Sequence, residues 1–493
     1  MWTAAVTVAT PLAFAGGMLL VPDEPEREKS PSALPTAVAE TATTATVGRA
    51  DGAGGVRNVT GKKEVRLASY NAKTGKATLT ANGSGKPAVK AGDVIASGRT
   101  KQLPHGALVK VTDATPDSGG AVTVAPATLP ELLGDATINS ATPVSPSGIS
   151  VKPLIKGVSA AVTKTGAVSP STTVTPSSPP SGEPKPGLVP PPGAKSVGGT
   201  ALPPADRIAP APLPTGSADG RHAVGGELAL DLDIPLVEHG FRGTKQGGPT
   251  LSGWVHFQPQ VIFSYKRDHA LSLAPSEASI GIGGAYDYGW KVHASLPGKV
   301  DTGRQPLRLP FAEVHVHTTL FVAGFPIVID ADLTYFYQVS ASGQVSIDTE
   351  QKTTGEVSLG AQYRKATGWE RLPVATAATT VGKQLRITGT ATAKATIGAE
   401  LKVALYGTVG AELEWAPYLR ADVDAEAIPK QRLDWALYAG FDLQGSLFVQ
   451  LKIFGIPIFE KSFPLPPLNL QWQVAGGTVT PPTARPAPVR TAA

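Results

Sequence analysis

Apolar and polar residues alternate in the second half of the chain over runs too regular for a helix. In residues 385–405 one face carries Leu, Ile, Val and Ala, while the other carries mainly Thr, Lys and Glu. Residues 434–453 show the same alternation with larger apolar side chains. A period of two predicts strands with one dry and one wet face, as in antiparallel sheets. Residues 222–475 are therefore predicted to form a large antiparallel β domain, either a β-sandwich or a curved sheet.

A second, smaller region shows shorter runs of the same alternation. The stretch "EVRLASYNAKTGKATLTA" predicts a hairpin around a Thr-Gly turn, and three further short strands follow it. "TLPELLGDA" then predicts one or two helical turns, with Thr128 as a possible cap. Because its apolar residues are few and small, residues 56–138 are predicted to be a small β module rather than a catalytic body. The fold class is all-β.

Segments without apolar periodicity separate and flank these modules. Residues 141–220 contain 17 prolines and no aromatic residue, and such a segment buries too little apolar surface to offset the entropy of ordering it. Residues 139–221 are predicted to be a Pro-rich disordered linker that holds the modules apart. Residues 22–55 are predicted to be a disordered stalk, and residues 476–493 a disordered tail.

The first 21 residues predict export. Residues 2–21 carry no charge, and Ala13-Phe14-Ala15 has the small-x-small form of a cleavage site. Twenty apolar residues are also just long enough to span a bilayer. Residues 1–21 are therefore either a signal peptide or an N-terminal anchor, and the protein is expected to be secreted or anchored at the cell surface through this segment.

Composition excludes several classes of chemistry. The chain has no cysteine, which removes thiol nucleophiles, thiolate metal sites and disulfides. Of its 30 Trp, Tyr and Phe residues, all but Trp2, Phe14 and Tyr70 follow residue 220, so the main core should be C-terminal. The net charge of +5 comes without a dense basic cluster, so no nucleic-acid partner is expected.

One stretch, residues 311–338, carries candidate chemistry. Glu313, His315 and His317 occupy alternate positions and therefore share one face of a strand. With Asp332 opposite, this spacing suits a zinc site, in which Glu313 would be a fourth ligand or a base. The competing interpretation, which we favour, is a solvated sheet face, because His beside a carboxylate is an ordinary cross-strand pair. No metal, cofactor or catalytic residue is therefore assigned.

The register expected for this stretch follows from pairing like faces around residues 323–326. A four-residue turn there sets His317 opposite Asp332 and His315 opposite Thr334. If the face of residues 313–319 is open to water, the metal interpretation fails; if it lines a closed pocket, it survives.

Two other motifs carry little chemistry. "GIGGAYDYGW", residues 281–290, is not followed by the helix that a dinucleotide-binding loop needs, so turns and a β-bulge are the better explanation. Its alternating Tyr286, Tyr288 and Trp290 are expected to share one face and to pack in a core or across strands. No G-x-S-x-G elbow occurs.

The landmarks of both modules together resemble a loosely defined group of bacterial secreted β-rich proteins of unknown function. They are "AGDVIASG", "PHGALVKVTD" and "VTVAPATLPELL" in the first module, and "GAQYRKATGW", "LYGTVGAELEWAPYL" and "WALYAGFDLQG" in the second. These motifs are structural, with glycines for turns and aromatics for core. The resemblance implies an exported protein with two β modules, and it carries over no catalytic residue.

The architecture predicts an exported or surface-associated, non-catalytic structural or binding protein. A Pro-rich spacer would display a β-rich domain toward a cell-envelope polymer, a lipid or a surface protein. One alternative is an extracellular hydrolase or metal-dependent enzyme. Another is a carrier of apolar ligands such as lipid, in which the small residues Ala391, Ala393, Ala395 and Ala399 would leave room along a curved sheet.

Overall fold

The structure is a computed structural model of the whole chain, in which the placed residues form β-strands almost throughout. The residues it describes are 36–37, 45–52, 55–60, 65–81, 89–114, 120–165, 225–236, 250–268, 274–295, 300–301, 306–343, 346–374, 379–383, 391–426, 432–448, 453–454 and 462–479. By its contacts the chain divides into residues 1–32 and 33–493, and all described residues belong to the second unit.

The elements follow one another in three groups along the chain. The first is β1 (Thr36–Ala37), β2 (Ala45–Ala50), β3 (Val56–Asn58), β4 (Val65–Asn71), β5 (Lys76–Ala81), β6 (Val94–Ser97), β7 (Ala107–Asp113), β8 (Ala121–Pro126) and α1 (Leu129–Leu133). The second is β9 (Ile138–Pro143), a 3₁₀ turn (Pro146–Gly148), β10 (Ile149–Pro153), β11 (Val158–Lys164), β12 (Gly226–Pro235), β13 (Thr250–Lys266), β14 (Glu277–Ser295) and β15 (Val300–Asp301). The third is β16 (Leu307–Val322), β17 (Phe325–Gly343), β18 (Ser346–Arg364), β19 (Gly368–Arg371), β20 (Thr379–Lys383), β21 (Ala391–Leu405), β22 (Thr408–Glu426), β23 (Arg432–Phe448) and β24 (Ser462–Val479).

Two large antiparallel sheets contain the longest of these strands. Within the described residues, one sheet has nine strands and runs β1-β16-β17-β21-β22-β23-β24, with β10 also on β16 and β15 on β17. The other has eight and runs β11-β12-β13-β14-β18-β19, with β9 also on β13 and β20 on β18. The alternation predicted for β21 and β23 is confirmed, since residues such as Leu401 and Leu443 are buried while Glu400 and Gln444 are exposed.

Side chains from both large sheets pack in a single hydrophobic core. Tyr286 of β14 meets Trp415 of β22 edge-on, with ring centroids 5.1 Å apart. Phe454 lies against Phe263 of β13 and Trp369 of β19. Burying such aromatic rings contributes much of the apolar stabilisation of a core.

Strands β2 to β8 form a third sheet, which closes on itself. Because β2 pairs with both β4 and β6, the strands β2, β4, β5, β8, β7 and β6 form a six-stranded barrel. Its interior is filled by small apolar side chains, namely Ala45, Val47, Val65, Leu67, Ala77, Leu79, Ile95, Leu103, Ala107, Val109, Val111, Val122 and Val124. Closure leaves these strands without the free edges that an open small sheet would expose.

Helix α1 follows the barrel and faces the main core rather than the barrel interior. Thr128 occupies the N-cap position, as predicted, and its backbone N–H donates to the carboxylate of Glu131 at 2.8 Å. The Glu131 carboxylate also accepts a hydrogen bond from Lys110 Nζ at 3.0 Å. Leu129 and Leu132 are fully buried in the cluster that the large sheets share, so the helix ties the barrel to the larger body.

The barrel rests on two hairpin turns at one end of the nine-stranded sheet. These turns are Ala323-Gly324, between β16 and β17, and Tyr406-Gly407, between β21 and β22. Asn58 donates to the Gly324 carbonyl at 3.2 Å, and a side chain at Gly407 would lie 2.9 Å from His105 Cβ. The described residues of the barrel are therefore packed directly on the sheet.

The described strands differ from the predicted domain boundaries at three places. Strands β9, β10 and β11 lie within residues 138–164, almost all of which belong to the predicted Pro-rich linker. Strand β2 lies inside the predicted stalk, and β24 continues into the predicted tail. Prolines fit β9 and β10 because they stand at the strand ends, where no ladder hydrogen bond is lost. Residues 1–21 and most of the predicted linker lie outside the described residues.

The two hairpin turns place non-glycine residues at positive φ, and this permits a matched stability test. Ala323 has φ of 50° and Tyr406 has φ of 49°, each followed by glycine. Asn-Gly is the preferred pair where both turn residues need positive φ. We expect Ala323→Asn to raise the free energy of unfolding by about 0.5–1 kcal/mol, measured by urea titration. Tyr406→Asn should instead destabilise the protein, because the Tyr406 hydroxyl donates to the Pro326 carbonyl.

Candidate functional site

The β16–β17 hairpin carries all the predicted metal candidates, and its register differs from the predicted one by two residues. The turn has two residues rather than four, because Phe325 and Pro326 already belong to β17. His315 therefore lies opposite Asp332, and His317 opposite Asp330. The predicted His317–Asp332 and His315–Thr334 pairs are wrong. The predicted faces still hold, because a shift of two residues keeps every side chain on its own side of the sheet.

The four metal candidates form separate hydrogen-bonded pairs instead of converging. Glu313 pairs with Lys152 of β10 at 3.1 Å. His315 Nδ1 lies 2.6 Å from Asp332 Oδ1, and His317 Nδ1 lies 2.7 Å from Asp330 Oδ1. His315 and Asp332 are 42% and 54% exposed, so this part of the face is open to water. In the part of the chain that the structure describes, no group of three or more His, Asp or Glu side chains is arranged to hold a metal.

The inner end of the same face contains a histidine–aspartate–histidine bridge, which we define as His105, Asp330 and His317. The Asp330 carboxylate is 5% exposed. Its Oδ2 lies 2.8 Å from Nδ1 of His105, which belongs to the turn between β6 and β7 of the barrel. One carboxylate thus joins the barrel to the nine-stranded sheet. No local sequence signal marks His105, because its contact with Asp330 spans 225 residues.

The surroundings of Asp330 favour its ionised form. Burial alone would raise the pKa of Asp330, but hydrogen bonds from His317 and His105, and the attraction of their rings, together lower it below the ordinary value of 3.8. A lowered native pKa means that the unfolded chain binds the proton more readily. The stability contributed by Asp330 is therefore complete above the unfolded pKa and is lost as the pH falls through the native pKa.

The lowered pKa of Asp330 predicts how the stability of the protein depends on pH. Between pH 4.5 and pH 2.5, below the range in which imidazoles ordinarily titrate, we expect the wild-type protein to lose stability more steeply than Asp330→Asn, which lacks the titrating group. Urea unfolding midpoints at several pH values measure the difference. Equal slopes for the two proteins would show that Asp330 has the same pKa in the folded and unfolded chains.

A second polar feature lies on the same sheet, on the face turned away from the core. Side chains from β17, β21, β22, β23 and β24 line an open groove of about 650 Å³. Antiparallel register brings them together: Gln338 and Tyr418 both lie opposite Thr396, and Tyr418 lies opposite Gly440, which pairs with Gln471. We call this feature the sheet groove.

Tyr418 forms the floor of the sheet groove. Its ring lies over Gly440, and a Cβ added to Gly440 would come within 2.7 Å of the Tyr418 ring. The Tyr418 hydroxyl donates to Gln471 Oε1 at 3.1 Å. Burial, reinforced by the nearby carboxylate of Asp442, raises the pKa of Tyr418 against the opposing effect of Arg420, so the hydroxyl stays protonated as a donor.

Each charged group that lines the sheet groove has a partner of opposite sign. Lys394 Nζ lies 2.5 Å from Asp442 Oδ2 and 3.9 Å from the centroid of the Tyr418 ring. Asp442 Oδ1 also accepts a hydrogen bond at 3.1 Å from the Asn469 amide, oriented so that its nitrogen faces the carboxylate. Of the remaining two, Arg420 pairs with Asp422 at 2.7 Å, and Glu414 pairs with Arg308 at 2.9 Å.

Neighbouring contacts hold the edge of the sheet groove in place. Arg308 also pairs with Glu400 at 2.6 Å, and its guanidinium stacks on the buried Phe336 ring at 3.6 Å. At the other side, Arg371 of β19 donates to the Pro466 carbonyl at 2.8 Å and so fixes the start of β24. The side chains that line the groove are therefore held in place by hydrogen bonds and ion pairs with one another and with their neighbours. The alternation in the sequence predicted only that these positions would face solvent.

The glycine-rich motif at residues 281–290 is the interior of strand β14. Turns and a bulge were predicted there, but the ladder to β13 and β18 continues without a register shift. Tyr288 and Trp290 are buried in the main core, as the alternation predicted. Ala395 and Ala399 are buried in the same core, where aromatic rings such as Tyr286 and Trp415 occupy the space between the sheets.

Comparison with known proteins gives no relative: no protein-family model, curated protein or solved structure matches the chain. Within the described residues, no helix has the length and apolar character needed to cross a membrane. The geometry of the described side chains is therefore the basis for any inference about function.

Proposed function

We propose that this protein is an exported, surface-associated binding protein without catalytic activity, which uses the sheet groove to hold a polymer of the cell envelope. The observation that carries the proposal is the pairing of charges in the groove. Lys394 with Asp442, and Glu414 with Arg308, already neutralise each other at 2.5 and 2.9 Å. Such groups act as fixed hydrogen-bond donors and acceptors, which is what recognition of a polar ligand requires.

The shape of the groove supports binding of an extended ligand. It is open on the outer face and crosses five strands, reaching the last strand, β24, where Asn469 and Gln471 are exposed. A groove on rigid strands is preorganised, so little entropy is lost when a ligand binds.

Sedimentation with an insoluble cell-envelope fraction tests the proposal. The full-length protein should pellet with the envelope material in a saturable way. The supernatant should contain no newly released soluble fragments when it is analysed by size-exclusion chromatography. Absence of binding would contradict the proposal. Hydrolysis of the polymer would also contradict it, if that activity remains with the protein through every purification step.

A further inference from the structure

Resting on the proposed function, we infer that the ligand of the sheet groove is an uncharged polysaccharide. The first reason is the balance of charge. The lining contains two cations, Lys394 and Arg420, and two carboxylates, Glu414 and Asp442, so it presents no net charge to a ligand. An anionic or cationic polymer would need an excess of the opposite sign, because desolvating an unpaired charge is costly.

The second reason is the chemistry of the uncharged lining groups. Gln338, Gln444, Asn469 and Gln471 contribute four primary amides, each with two N–H donors and a carbonyl acceptor. A sugar hydroxyl donates and accepts at once, and vicinal hydroxyls match the spacing of an amide or a carboxylate. A surface made of such groups suits a polyhydroxylated chain better than an apolar or ionic ligand.

The third reason is the size and openness of the site. A volume of about 650 Å³ falls within the range of about 300–1,000 Å³ that is usual for small-ligand pockets. Because the groove is open, only a few units of a chain need to lie in it while the rest extends past β24. The exposed Pro467 ring supplies apolar surface for the carbon face of a sugar.

Strand β24 offers a matched pair of variants. Asn469, Gln471 and Gln473 are exposed and alternate along the strand, so they share one face, but only the first two line the groove. Loss of hydrogen bonds to a ligand typically weakens binding several-fold per residue. We expect the double variant Asn469→Ala/Gln471→Ala to weaken binding about tenfold or more. Gln473→Ala should change it by less than about twofold.

Native gels containing soluble polysaccharides provide the measurement. The probes are uncharged glucans, mannan and xylan, set against the anionic polygalacturonate and hyaluronate. The expected result is retardation of the full-length protein by at least one uncharged polymer, reversed by Asn469→Ala/Gln471→Ala and retained by Gln473→Ala. Circular dichroism of each variant verifies that the strands are intact.

The other outcomes separate this inference from the proposed function. Retardation by anionic polymers alone, or by none of the probes, overturns the inference, while binding to the envelope fraction would leave the proposed function standing. Retardation that the double variant does not affect overturns the assignment of the site. Shortening of any probe polymer by the wild-type protein contradicts the proposed function itself.

Discussion

We expect Asp330→Ala to lower the free energy of unfolding by about 2–4 kcal/mol, the larger effect of the two aspartates on the β16–β17 hairpin. The Asp330 carboxylate is nearly buried, and it is bonded to both His105 and His317. Its removal leaves two imidazole nitrogens without their acceptor and opens a small void between barrel and sheet. Unfilled hydrogen-bonding groups in a partly buried site cost more than the intact bond contributes.

The neighbouring aspartate gives a closely matched control. Asp332 lies on the same strand and face and also bonds one histidine, but it is 54% exposed. Exposed pairs are worth about 0–1 kcal/mol, so Asp332→Ala should change stability by no more than that. Urea unfolding at pH 7, followed by tryptophan fluorescence, compares the two variants. Equal effects would mean that the bridge does not hold the barrel on the sheet.

Alternation in the sequence predicted strands and faces well, but not register. Leu401 and Glu400 fell on the expected sides, because the period of two is a property of the chain itself. The predicted β16–β17 pairing is wrong by two residues because the turn has two residues rather than four. A two-residue turn requires positive φ at Ala323, and alanine gives no sequence signal for that conformation.

The contacts that build the two polar sites were predictable only in part. Alternation showed that Lys394, Asp442 and His317 point to a wet face. Alternation did not predict that Lys394 of β21 contacts Asp442 of β23 across the intervening strand β22. Nor did it predict that His105 of the barrel contacts Asp330. Such contacts depend on strand order and on docking between distant segments, which a single sequence does not specify locally.

Strands β9, β10 and β11 escaped prediction for a compositional reason. They lie in a Pro-rich region, are five to seven residues long, and carry few large apolar side chains. Each pairs with one long strand, β13, β16 or β12 respectively. The long strands supply the template and most of the buried area, so a weakly patterned segment can complete the sheet. Local propensity alone underestimates such strands.

The largest backbone effect is expected at Gly284, inside the motif that was predicted to be a turn. Gly284 has φ of 139°, which side chains rarely adopt, and a Cβ there would lie 1.9 Å from the Gln258 carbonyl oxygen on β13. That oxygen belongs to a paired strand of the eight-stranded sheet and has little freedom to move. We expect Gly284→Ala to lower the free energy of unfolding by about 3 kcal/mol or more.

Gly368→Ala separates the two causes of this cost. Gly368 also has positive φ, at 81°, but no atom lies within 4 Å of the position a Cβ would take. It should lose only the conformational term, about 1–2 kcal/mol. Unfolding in urea, followed by the fluorescence of Trp290 and the other tryptophans, compares the variants. If Gly284→Ala cost no more than Gly368→Ala, the close approach of Gln258 on β13 to Gly284 would be incorrect.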